Sequence, residues 1–231
     1  MRGRSRKRNL IFRCFPPKTE RRNAFADISS TYRYKKMKRV LLSIALASAC
    51  AAAGAAPVSY DIDPMHTYPS FEADHMGISF WRGKFDKTTG TMILDKEAST
   101  GSVDVKIDIA SVDFGLDAMN EQAVSPEFFD SAKYPQATYK GKLVDFADGA
   151  PTRVVGELTL HGVTRPVELK INRFKCIPHP MFKRELCGAD ASAVFKRDEF
   201  GLTAGKDYGF SMDVNLRIQM EAVVPEKASK P

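Results

Sequence analysis

Histidine and cysteine carry most of the reactive chemistry open to a protein near neutral pH. This chain of 231 residues holds four of each: His66, His75, His161 and His179, and Cys14, Cys50, Cys176 and Cys187. Around them there is no nucleophile elbow, phosphate-cradling loop, dinucleotide fingerprint or zinc-protease motif. His75 shares the parity of Phe71 and Ala73, so on a strand all three face one side. Facing inward, a neutral imidazole would orient a ligand head group or a quinone oxygen, or act as acid/base; the plainer reading is a core histidine bonded to backbone. His66 stands just before that strand and is suited to fixing a turn. As a metal ligand beside His75 it lacks an obvious third partner, so no metal is expected. No catalytic residue is assigned.

The totals give a net charge of +7, which would suit a nucleic acid or an anionic membrane. Located along the chain, the charge says otherwise. Residues 1–39 hold 14 of the 35 Lys/Arg and two of the 28 acids, leaving 21 basic against 26 acidic side chains. A nucleic-acid partner loses its electrostatic footprint. From Met37 the chain reads Met-Lys-Arg, an uncharged stretch Val40 to Ala49, then small residues ending Ala-Gly-Ala at Ala55. That is the pattern of a secretory signal, and its apolar part is short of the ~20 residues a membrane span needs. Residues 37–55 are therefore expected to be a Sec-type signal peptide. Residues 1–36 are expected to be a mis-called or disordered extension, and 56–231 one domain without a stable membrane span. Cys14 and Cys50 fall in the leader. Cys176 and Cys187 remain, an even pair bound for an oxidising compartment, so a disulfide is the default; closing that loop contributes about 3 kcal/mol in the chain-entropy model.

What positions these residues is a set of strands. Val103, Val105, Ile107 and Ile109 alternate with Asp104, Lys106 and Asp108. Met212, Val214, Leu216, Ile218, Met220 and Ala222 do so near the C-terminus, and Val167, Leu169 and Ile171 form a third run. Each has one apolar and one wet face. Turn signals stand at Thr88-Thr89-Gly90, Ala98 to Gly101, Asp148 to Pro151, and His161-Gly162 before Thr164-Arg165-Pro166. About eight strands result. The one helical stretch is Asp117 to Phe129, with Ser125-Pro126-Glu127 starting a second short helix or a turn.

Such strands close into a barrel or stack as a sandwich, and periodicity does not choose. Small Ala189, Ala191 and Ala193 on one face, with Phe80, Trp81 and Phe85 clustered elsewhere, lean toward a barrel with room for one apolar ligand. Ordinary core packing is the rival reading. By parity and aromatic size the candidate cavity residues are Phe71, Ala73, His75, Phe80, Phe85, Phe128, Phe129, Tyr134 and Leu160.

Several stretches carry a family resemblance: Tyr60 to Asp63 with His66-Thr67, Phe71 to His75 with Gly77, Gly83-Lys84-Phe85, Ser125 to Phe129, Ala132 to Thr138, and Gly156 to Val167. In order, they resemble the YceI-like family of bacterial periplasmic proteins. The resemblance implies an all-β fold: a single eight-stranded antiparallel lipocalin-like barrel with one short helical segment, enclosing a long pore. It implies a non-catalytic periplasmic protein holding a polyisoprenoid, isoprenoid quinone or similar amphiphilic lipid, with lipid carriage or stress protection as its role. No cofactor is expected beyond that lipid. A homodimer and a membrane redox partner stay open, as do a solid-cored interaction module and a barrel enzyme using His75. Two departures stand out. The Cys176–Cys187 segment is an addition that would staple two neighbouring strands. Met119 to Val124 replaces an Arg-Asp and a His found in many relatives, which puts any head-group contact there in doubt.

Overall fold

The computed structural model describes residues 56–226; the expected signal segment over 37–55, the stretch before it, Cys14 and Cys50 lie outside the described residues. Eleven strand segments occur among them: β1 Val58–Ile62, β2 Tyr68–His75, β3 Ser79–Phe85, β4 Thr88–Asp95, β5 Thr100–Asp108, β6 Val112–Asp113, β7 Gln136–Ala147, β8 Ala150–Leu160, β9 Val163–Pro178, β10 Glu185–Lys196 and β11 Asp213–Val223. One α-helix, α1, spans Asp117–Ala123.

The eleven segments make eight strands, because the first six are three strands each broken once. β1 and β2 both run along β11, pairing with its C-terminal and N-terminal parts. β3 and β4 form the next strand, facing β2 and β1 in turn, and β6 and β5 the one after. From there β7, β8, β9, β10 and β11 follow as an antiparallel meander. The register Ile62↔Ala222 closes the ring. The expected eight-stranded barrel with one short helix is therefore the observed fold.

Each break has a local cause. Between β1 and β2, Pro64 interrupts the ladder and the Asp63 carboxylate accepts the Met65 N–H at 2.8 Å. Between β5 and β6, a 3-10 turn at Ile109–Ser111 is capped by the Asp108 side chain. Ser111 in turn accepts from Asp86 and Lys87 at the break between β3 and β4.

Two expected hairpins are present as two-residue turns. Asp148-Gly149 and His161-Gly162 have φ of 51° and 77°, and 51° and 76°, the left-handed pair that matches strand twist. One other turn signal misled. Thr88-Thr89-Gly90 lies within β4; its glycine serves an interstrand approach, since a Cβ there would stand 2.1 Å from the Asp104 carbonyl oxygen. Thr164-Arg165-Pro166 lies within β9. Pro166 is tolerated because β9 pairs with β10 only up to Lys170↔Ser192, so its earlier part has no β10 ladder to lose.

The expected helix over Asp117–Phe129 stops at Ala123. Pro126 biases Ser125 away from helical backbone, and residues 124–129 form turns, the turn alternative expected from Ser125-Pro126-Glu127, with Phe129 N–H bonding back to the Ala123 carbonyl.

The two ends of the barrel differ. At the lower end, where β1 begins and β11 finishes, Tyr60, Leu94, Cys187 and Ala222 are all at most 1% exposed. At the upper end the wall has two seams, one beyond Asp108↔Gln136 between β6 and β7, the other beyond Lys170↔Ser192 between β9 and β10. The two long connections fill them. Residues 114–135, with α1, cover the first. The 3-10 turn Arg197–Phe200 covers the second, where Phe200 is fully buried and its carbonyl lies 3.3 Å from His161 Nδ1.

Candidate functional site

Alternation along the meander sends one apolar face of every strand to the inside. Those faces do not meet in the middle. They leave a cavity of about 450 Å³. The runs that alternate in the sequence form its wall: Val103, Val105, Ile107 and Ile109; Val167, Leu169 and Ile171; Val214, Leu216, Ile218 and Met220. Ala189 and Ala191 leave part of the width free, as expected of small side chains on an inward face.

Of the nine candidate cavity residues, six line this space together: Phe71, Ala73, Phe85, Phe128, Phe129 and Leu160. Phe71 lies at the centre of an aromatic group, with ring centroids 5.6 Å from Phe85, 5.5 Å from Phe114 and 6.5 Å from Phe129. The other three lie elsewhere. Phe80 is half exposed, one residue out of phase with the lining residue Trp81, and adjacent strand residues cannot both point in. His75 does have inward parity but comes at the end of β2, where it stacks on Trp81 at 4.4 Å and meets Phe210 edge-on at 5.2 Å. It supports the rim. Tyr134 packs on the β8–β9 turn, 4.3 Å from the His161 ring, where a Cβ on Gly162 would collide with it.

Among the lining residues only Asp74, Glu127 and Arg197 carry charge, and all three sit toward the upper end. Asp74 accepts from Gly77 N–H and, at 3.0 Å, from Ser211 N–H, tying the β2–β3 hairpin to the β10–β11 connection. Arg197 donates to the carbonyls of Leu202 and Ala204, and burial pushes its guanidinium below the usual range. From α1, Met119, Gln122 and Ala123 face this mouth.

Tyr139 is a lining residue that parity and size also favour but the sequence reading missed. Its ring lies over Gly141 and Gly156, which have no side chain to displace it, and its hydroxyl donates to the Val167 carbonyl at 2.8 Å. Burial pushes the phenol pKa up. The signal was present in those two glycines, set on neighbouring strands opposite one another.

The lower end is sealed by covalent and polar links. Cys176 and Cys187 face each other across β9 and β10 and form a disulfide. Tyr60 donates to Glu185 at 2.5 Å, and Lys96 pairs with the same carboxylate. Burial raises the Glu185 pKa, but the hydrogen bonds from Lys96 and Tyr60 outweigh it and hold it below the usual carboxylate range.

His66 takes part in the β1–β2 turn, bonded to Asp63 at 2.7 Å. That bond raises the His66 pKa; Asp63 is lowered, burial being outweighed by His66 and the Met65 N–H. Asp63, His66 and Glu221 offer ligand atoms within 4.8 Å of one another, a set in which His75 has no part. No helix among the described residues is long and apolar enough to cross a membrane.

Residues 60–222 match the YceI-like domain family. The chain is 34% identical over 192 residues to a UPF0312 protein of Pectobacterium atrosepticum, an alignment covering 81% of this chain and 98% of that one. To Protein YceI of Escherichia coli O157:H7 it is 33% identical with the same coverage. Among solved structures, the Campylobacter jejuni YCEI protein superposes with a TM-score of 0.56 at 26% identity, covering 66% of this chain and 90% of that one. A polyisoprenoid binding domain from Saccharophagus degradans shares the fold, with a TM-score of 0.53 at 20% identity over 73% and 99% of the two chains. With a matching domain over almost the whole barrel and relatives aligned nearly end to end, the chain belongs to the YceI-like family.

Proposed function

We propose that this protein is a periplasmic, non-catalytic carrier that holds one amphiphilic lipid, a polyisoprenoid or isoprenoid quinone, inside its barrel. The observation that carries the reading is the cavity of about 450 Å³ with charge only near one end. A flexible apolar chain gains about 25 cal/mol for each Å² of its surface removed from water, so a long greasy interior favours such a chain without any specific polar contact. The charged groups near the upper end suit a ligand whose polar head rests there. An unfilled interior does not suit a solid-cored interaction module. The binding described for the Saccharophagus degradans domain on the same fold supports the choice of ligand class, and the basic, apolar, small-residue leader over 37–55 supports export.

The test is mass spectrometry of solvent extracts from protein gently purified from its native periplasm. A co-purifying isoprenoid lipid at near-stoichiometric amount is expected; repeatedly empty extracts overturn the reading. Ala191→Phe, which grows a ring into the unfilled space, is expected to lower the extracted lipid at least tenfold while the protein stays folded.

A further inference from the structure

The upper end displays exposed apolar side chains around the mouth, some beyond the cavity lining and one, Tyr208, at its edge. The β2–β3 hairpin carries Met76 and Ile78, 49% and 74% exposed, and Leu116 before α1 is 55% exposed. On the β10–β11 connection Tyr208 is 81% exposed. These residues lie on three connections that surround one mouth. They are also held in place: Asp74 anchors both the hairpin tip and Ser211, and the stack of His75 on Trp81 braces the strand ends behind them. A rigid apolar rim around the entrance to an apolar cavity is not what a freely diffusing protein needs for solubility.

We infer that this rim is a docking surface for the neutral face of a phospholipid bilayer, through which the barrel exchanges its cargo with the membrane. The inference rests on the lipid-carrier reading. Its chemistry follows from two observations. Isolated aliphatic tips with Tyr208 and Trp81 set among them match the head-group boundary, where aromatic rings with a polar edge settle and aliphatic tips reach past them. The charge excludes an anionic surface: connections 114–135 and 197–212 carry seven acids against three basic residues. Of those three, Arg197 is bound to backbone carbonyls and Lys206 is paired with Asp198. Basic clusters that would draw the rim to acidic lipids are therefore missing from these connections. An isoprenoid, nearly insoluble in water, also has no comparable source other than a lipid phase.

Flotation of the purified protein with vesicles of pure phosphatidylcholine tests this. The protein is expected to rise with the vesicles, and Met76→Asp with Ile78→Asp is expected to reduce the floated fraction at least tenfold. Both positions are exposed at a turn, and near-ultraviolet circular dichroism should show the variant folded. Replacing part of the phosphatidylcholine by phosphatidylglycerol is expected to weaken flotation of the unaltered protein. Protein that stays at the bottom of the gradient overturns the inference. So does a double variant that floats as well as the unaltered chain, or flotation that grows with anionic lipid. Extracts decide the carrier reading separately: loaded protein that fails to float keeps the cargo and removes the rim, whereas floating protein with empty extracts does the reverse.

Discussion

The lower and upper ends of this barrel are made from the same kind of strand and are held by different means. Below, ladder bonds run on to the disulfide, and Tyr60, Leu94 and Ala222 pack with almost no exposure. Above, the ladders part at two seams, and long connections close them with side chains. The difference teaches that closure and openness are separate designs within one sheet. A sealed base can be rigid and stable, while the mouth is built from segments whose own packing leaves a cavity behind it.

That contrast can be broken by mutation. Leu94→Ala at the base should cost about 2–5 kcal/mol, the range for a buried leucine whose surroundings cannot collapse. Met119→Ala at the mouth, facing space already empty, should cost under about 1 kcal/mol. Urea unfolding of the two variants measures both; equal costs would erase the distinction between the ends. Next in size is the staple. Cys176→Ala with Cys187→Ala should lose about 3 kcal/mol by the chain-entropy argument, with the extracted lipid unchanged, because neither sulfur lines the cavity.

The smallest effect sharpens the comparison by pH. The Glu185 carboxyl is held below its ordinary value of 4.5, so its bonds to Lys96 and Tyr60 stabilise the fold above that pH and are lost as pH falls through the lower native value. The melting temperature of the unaltered protein should therefore drop on acidification below about pH 4.5. Glu185→Gln should melt lower at pH 7 and show a flatter acid limb; an identical acid limb would remove Glu185 from the account of the base.

The sequence carried the barrel well because alternation is a local signal: Val103 to Ile109 and Met212 to Ala222 state their inward faces without help. It carried the mouth less well. Whether His75 reaches the cavity depends on where β2 ends and on Trp81 across the strand pair, which is a tertiary fact. Phe80 was favoured for its size, though its parity opposes Phe85. The Thr88-Thr89-Gly90 signal was a glycine required by the neighbouring Asp104 carbonyl, and composition alone does not tell a turn from a close approach. Ser125-Pro126-Glu127 did announce a break after α1, but left open whether a second helix or a turn follows it. Tyr139 needed its two facing glycines, which become visible only when β7 and β8 are set in register.

The seam between β9 and β10 has a mechanical consequence. Above Lys170↔Ser192 the circumference of the barrel is fixed by the wedge of Phe200 rather than by amide bonds. A hoop with an unriveted joint gathers its compliance at that joint. Amide protons of β9 on the seam side should thus exchange with solvent far sooner than those at the base, and any dilation of the upper hoop should register there first.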